Sequence, residues 1–115
     1  MTVSKTSPSP QTWGALHWLA AADIGNANGI TLGRVTIDVG AANPRHVHDG
    51  CEEVLYLLAG RLRHSIGDES VELEAGDVLV VGPGITHHAE NIGDSPADMI
   101  VAYSSGRRDF RLADE

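Results

Sequence analysis

From residue 30 to residue 105 the chain runs as a series of short segments rich in Val, Ile and Leu, each closed by Gly, Pro, Asn or Asp. They are ITLGRVTIDV (30–39), EVLYLLA (53–59), RLRHSIG (61–67), ESVELEA (69–75), DVLVVG (77–82), HHAENIG (87–93) and ADMIVAYSS (97–105). Aliphatic and β-branched residues in runs this short suit a pleated, half-buried surface, and turn residues at such regular intervals stop each run before a helix reaches a useful length. The pattern predicts an all-β sandwich or barrel, with no amphipathic helix to compete. Asn28-Gly29, Gly60, Gly67-Asp68, Gly76-Asp77 and Gly93-Asp94 stand where corners call for positive φ, which glycine adopts without steric cost.

EVLYLLA is apolar on both faces after its first residue. Leu55 and Leu57 share the side of Glu53, and Val54, Tyr56 and Leu58 share the other. A strand of a single open sheet would show one polar face, so both sides of this one are expected to be covered. One face should line a barrel interior. The other should meet a second sheet, the N-terminal segment or another subunit, and a homodimer is the expectation.

At 115 residues the chain suffices for one domain with one core. The reading places a polar tail at 1–12, a single domain at 13–105 and a charged C-terminal tail at 106–115 that Phe110 anchors. WGALHWLAAADIG (13–25) reads as strand or irregular, with Trp13 and Trp18 partly buried. Arg107, Arg108 and Arg111 read as part of a solvated tail, with binding of an anionic substrate of a partner subunit as the alternative.

A net charge of −8 and a pI near 5.0 argue against non-specific binding to nucleic acid or anionic membrane, which needs clustered Lys and Arg. The expected partners are a small-molecule substrate and a second copy of the chain. Cys51 is the single cysteine, so no intrachain disulfide forms and a reducing cytoplasm fits best. The N-terminal stretch lacks the apolar run of a signal peptide, and no apolar run approaches the roughly 18 residues of a membrane span.

The chemistry concentrates in NPRHVHDGCEEVLYLLAG, residues 43–60. Alternation sends His46 and His48 to the same face of an extended chain. Glu53 shares the parity of Leu55 and Leu57 and so sits at the interior mouth, while Glu52 points away. In GDVLVVGPGITHHAEN (76–91), Gly82-Pro83-Gly84 breaks a buried strand into a sharp turn; His87 opens the next strand and His88 has the opposite parity. Three neutral imidazoles and one carboxylate suit a divalent first-row transition metal (Fe, Mn, Ni, Cu, Co or Zn) and are too nitrogen-rich for Ca or Mg. Four such ligands leave one or two coordination positions open.

The spacing Gly40, five residues, His46-x-His48, four residues, Glu53, six residues, Gly60 resembles the first signature of the cupin superfamily. The stretch from Gly76 through Gly84, two residues, His87, three residues, Asn91 resembles the second. One departure stands out: Gly82 occupies the position of the motif's proline, with Pro83 one residue later. The resemblance covers residues 40–91 and is to the small single-domain type-2 cupins. It implies a double-stranded β-helix (jelly-roll) barrel with the metal inside, and a tendency to dimerise.

On this reading His46, His48, Glu53 and His87 hold the metal, and His64 and Tyr103 are the candidate catalytic groups if they face the cavity. His17 and His88 read as structural. Cys51, beside Asp49 and Glu52, reads as unreactive because neighbouring negative charge disfavours the thiolate. The expected function is a metal-dependent enzyme activating a small oxygen-bearing organic substrate. The apolar walls foreseen from Leu55, Leu57 and residues 78–81 tilt the expectation toward a dioxygenase. A non-redox isomerase or lyase of a sugar or keto acid, and a non-catalytic ligand-binding module, are the alternatives.

Overall fold

Alternating burial, the mark of a strand with one face in a core, is present in strand after strand of the computed structural model, which describes residues 3–113. Among these residues the strands are β1 (Ser9–Gln11), β2 (Gly14–Ala20), β3 (Thr31–Ile37), β4 (His46–Val47), β5 (Glu53–Ala59) and β6 (Arg61–Ile66). They continue with β7 (Glu69–Glu74), β8 (Val78–Val81), β9 (His87–Asn91), β10 (Ala97–Tyr103) and β11 (Arg111–Leu112). No described residue is helical. In β5, Glu53, Leu55 and Leu57 are buried while Val54, Tyr56 and Leu58 are exposed, and β10 buries Ala97, Met99, Val101 and Tyr103 in the same rhythm.

The strands form two sheets, one ordered β1-β2-β3-β10-β5-β8 and the other β11-β4-β9-β6-β7, with every pairing antiparallel. The core lies between them. Val35, Ile37, Leu55, Leu57, Met99 and Val101 come from the six-stranded sheet, and Leu62, Leu73 and Ala89 from the other. Consecutive strands repeatedly change sheets, as from β3 to β4, β4 to β5, β8 to β9 and β9 to β10, which is the winding of a jelly roll. These crossings bring β4 and β9 of one sheet and the start of β5 in the other to one end of the barrel.

Turn chemistry holds at three of the expected corners: Gly60, Gly67 and Gly76 have φ of +92°, +59° and +96°. Gly29 and Gly93 do not take positive φ. At Gly93 the reason is visible, since the Asn91 side chain accepts its N–H (2.9 Å) and closes the turn that a left-handed backbone would otherwise make.

The termini depart from the expected tails. Ser9–Gln11 pairs with β2, and segment 13–25 resolves into the strand β2 with both tryptophans half-buried. The segment from Gly106 to Ala113 is not a solvated tail: it crosses the barrel mouth and adds β11 to β4. Backbone hydrogen bonds hold it there, as Gly106 O accepts from Ala22 N (2.8 Å) and Ala113 N donates to Arg45 O (3.1 Å). Of the proposed tails, residues 1–2 and 114–115 lie outside the described residues.

The second face of β5 meets neither the other sheet nor the N-terminal segment. Val54 lies opposite Val80 and Tyr56 opposite Val78, leaving Tyr56, Val78 and Val80 at 42%, 58% and 53% exposure in the single chain.

Leu57 is fully buried in the core. Leu57→Ala is expected to lower the unfolding free energy by about 2–5 kcal/mol in urea titration, through lost burial and the cavity left behind. Ser70→Ala, on an exposed position of β7, should stay within about 0.5 kcal/mol.

Candidate metal centre

Backbone geometry alone brings four side chains together. His46 is the direct cross-strand partner of His87 across β4 and β9, and Glu53 heads β5 opposite both Val81 and Tyr103. His48, two residues after His46, projects to the same side. The 82–84 turn holds its shape despite the displaced proline, with Gly84 at φ +76° and its N–H bonded to His48 O (2.9 Å). The potential ligand atoms of His46, His48, Glu53 and His87 all lie within 4.8 Å of one another, and all four residues are buried.

Each imidazole is oriented from behind by a carbonyl. His46 Nδ1 lies 2.7 Å from Pro44 O, His48 Nδ1 2.6 Å from Asp109 O, and His87 Nδ1 2.9 Å from Ile85 O. A carbonyl only accepts, so each Nδ1 must carry the hydrogen, and in a neutral ring Nε2 is then a lone pair. These lone pairs face the Glu53 carboxylate: His87 Nε2 is 3.0 Å from Oε1 and His48 Nε2 is 3.4 Å away. His48 Nε2 is buried with no hydrogen-bond partner.

Acceptor facing acceptor in a dry site requires either a second proton on an imidazole or a cation between the groups. A divalent metal meets that requirement with the donor set present, and the carbonyl-anchored histidines have the support that metal ligands usually have. The residues fit the group.

The electrostatics favour a neutral His46 and an ionised Glu53. Burial, reinforced by His87, lowers His46 to about 3. Burial works against ionisation of Glu53, but hydrogen bonds and charge from His48 and His87, which without a metal require the second ring proton, outweigh it and hold the carboxyl well below its usual range.

A family model described as a cupin domain matches residues 33–103. The chain belongs to the cupin family. A germin-like protein of Arabidopsis thaliana (subfamily 2 member 1) is 34% identical over 85 residues, covering 70% of this chain and 39% of its own length. The chain therefore spans about two fifths of the germin-like relatives it matches. The tetracenomycin polyketide synthase protein TcmJ of Streptomyces glaucescens is 30% identical over 105 residues, covering 90% of this chain and 70% of TcmJ. Among solved structures, an oxalate decarboxylase of Lactobacillus farciminis in complex with formate superposes with a TM-score of 0.86 at 21% identity, over 93% of this chain and 33% of that one. The likeness to that structure shows a shared fold.

In this cupin both candidate catalytic groups face inward. His64 is buried, with Nδ1 toward Ser65 O (3.1 Å) and its ring stacked near that of His87 at 5.6 Å. Burial lowers its pKa to about 4, so it is neutral at physiological pH. Tyr103 is buried edge-on to His48 (5.0 Å), and burial followed by Glu53 raises its pKa, which keeps the phenol protonated. Both line a cavity of about 280 Å³ together with His46, Glu53 and His87.

Glu52 is exposed, and His88 turns out of the site to Ser65 Oγ (2.5 Å). His17 pairs with Thr6 Oγ1 (2.8 Å). Cys51 has a raised pKa, as foreseen, but burial and Asp109 cause it rather than Asp49 and Glu52.

What the strand pattern did not reveal is the C-terminal contribution. Besides orienting His48 through its carbonyl, Asp109 accepts the N–H groups of Asp49 (2.5 Å) and Gly50 (2.9 Å), fixing the loop between the ligands. Phe110 stacks on His46 at 5.1 Å, and Arg108 lines the cavity. The walls are accordingly less apolar than expected: Val35, Leu55, Met99 and Val101 are joined by Gln11, Asn43, His64, Tyr103 and Arg108. Val78 and Val80, counted among the interior candidates, face out.

The lowered values of His46 and His64 set a sign for stability against pH. Unfolded imidazoles titrate near 6.5 and the folded ones near 3 and 4, so protons bind the unfolded chain first as pH falls. The melting temperature of metal-free protein should fall steadily between about pH 7 and about pH 4, and more shallowly in His64→Gln. Thermal melts across that range check it.

Proposed function

We propose that this cupin is a small metal-dependent enzyme acting on a compact, oxygen-bearing organic substrate, with His46, His48, Glu53 and His87 holding one divalent first-row metal. The observation that carries the reading is the convergence of lone pairs on a buried carboxylate, beside a cavity that also receives His64 and Tyr103. When bound, the metal supplies Lewis-acid polarisation of a substrate oxygen, and with iron also access to O₂ chemistry.

The chain's own residues do the rest. His64, neutral and anchored through Nδ1, presents Nε2 as a proton acceptor. Tyr103, held protonated, donates a hydrogen bond to charge developing on oxygen. Phe110 and the segment across the barrel mouth restrict water, which strengthens both interactions.

A base and a donor placed together favour proton-transfer chemistry, isomerisation or a lyase reaction. This reverses the tilt toward dioxygenation, which rested on an apolar wall. Dioxygenation is the second reading, favoured by the aliphatic patch of Val35, Leu55, Met99 and Val101.

Elemental analysis of protein purified without chelator is expected to find about one first-row metal per chain, lost in His46→Ala and Glu53→Ala while both stay folded by circular dichroism. Iron with substrate-dependent O₂ uptake would select the second reading. Absence of metal before and after reconstitution would contradict the proposal.

We further propose that the protein is a homodimer through the outer face of β5 and β8. The occupant argued for is a second copy, because β8 is a sheet edge and an antiparallel edge beside an apolar face is self-complementary about a two-fold axis. Sedimentation should give twice the chain mass, and Val80→Asp should reduce it to one chain; a monomeric wild type would contradict the assignment.

A further inference from the structure

One cation in this acidic chain is both half-buried and without a carboxylate partner, whereas Lys5 and Arg45, which also pair with no carboxylate among the described residues, are exposed. Arg34 pairs with Asp98, Arg61 and Arg63 with Glu72, Arg107 with Asp23 and Arg111 with Asp49. Arg108 pairs with no carboxylate among the described residues. Its guanidinium carbon instead lies over the rings of Trp18 (4.7 Å), Phe110 (4.9 Å) and Tyr103 (5.4 Å), and its Nε is buried without a hydrogen-bond partner.

The adjoining residues explain how three rings come to surround this head group. Trp18 is the cross-strand partner of Gly33, and a Cβ at residue 33 would come within 2.6 Å of its ring, so the glycine makes room for the indole. Trp18 and Tyr103 meet edge to face with centroids 6.1 Å apart, and Phe110 closes the other side. Ring faces offset part of the cost of withdrawing a cation from water. The ring faces supply no acceptors and the Tyr103 hydroxyl supplies a single one, so the planar fork is not saturated and Nε is left unpartnered.

The same rings reach the metal cluster. Tyr103 touches His48 and Phe110 stacks on His46, and Arg108 lines the same cavity as His46, Glu53 and His87. Asp109 is committed to the loop after His48, and Glu53 to the imidazoles, so neither serves Arg108. A guanidinium with no carboxylate partner and an unpartnered Nε, at the wall of a partly aliphatic cavity, is suited to an anion with two acceptor oxygens in one plane and an apolar body.

We propose that Arg108 recognises a carboxylate of the ligand, so that the substrate class is compact organic carboxylates. The proposal rests on the cavity being a substrate site and is independent of the reaction performed there. A carboxylate docked on Arg108 fills the missing acceptor positions and places the remainder of the molecule toward His64 and the ligand cluster.

Benzoate and its neutral isostere benzamide are the probes, titrated into the protein as purified and followed by tryptophan fluorescence, since Trp18 lies against Arg108, with metal content measured on the same samples. Benzoate should bind at least tenfold more tightly than benzamide. Arg108→Gln and Arg108→Met, the second keeping apolar bulk against the three rings, should each lose tenfold or more in benzoate affinity with metal content unchanged.

Wild-type affinity for benzoate in either folded variant, or no binding by the wild type at millimolar concentration, overturns the assignment. A metal-free wild type that still discriminates benzoate from benzamide through Arg108 upholds the assignment while removing the metal-dependent reading, so the two fail separately.

Discussion

Everything at the working end of this barrel is arranged around one buried carboxylate. Glu53 is almost wholly withdrawn from water, and its charge is sustained only by a positive partner where the imidazoles of His48 and His87 converge on it, either a metal or a second ring proton. A buried charge is strongly unfavourable unless its partners are fixed, and here they are fixed from behind, by carbonyls that dictate which ring nitrogen bears hydrogen. The jelly roll supplies the rest of the constraint. Its strands change sheets so that β4, β5 and β9 meet at one end, which places residues distant in sequence within ligand distance of one another.

The C-terminal segment ties the two halves of the site together. Asp109 orients His48 with its carbonyl and clamps the 49–50 backbone with its carboxylate, while its neighbours Arg108 and Phe110 form the cavity wall. The residue that orients His48 is thus adjacent in sequence to the one proposed to take the substrate carboxylate. A shift of this segment would disturb both functions together.

The parity of a strand is legible in sequence because side chains alternate strictly. For that reason the inward placement of His46, His48, Glu53, His87 and Leu55, and the outward placement of Glu52 and His88, could be read from spacing alone. The two-residue strand β11 has no periodicity to detect, and its charged composition resembles a tail. Its place follows from backbone hydrogen bonds to Val47 and Arg45, which are long-range facts. Arg108 was obscured for the same reason, and with it the polar character of the cavity. Gly93 shows a third kind of gap: a glycine at a corner signals a turn, but here the side chain of Asn91 makes it.

The central claim is that a single metal stands where a carboxylate and three imidazole lone pairs now converge. Anomalous diffraction from crystals of the protein grown with a first-row divalent metal tests it most directly. The account predicts one peak bounded by Nε2 of His46, His48 and His87 and a carboxylate oxygen of Glu53, with the three Nδ1 contacts to Pro44, Asp109 and Ile85 retained. A crystal soaked in metal that shows no peak there, with His87 Nε2 still in direct contact with Glu53 through a second ring proton, would contradict it.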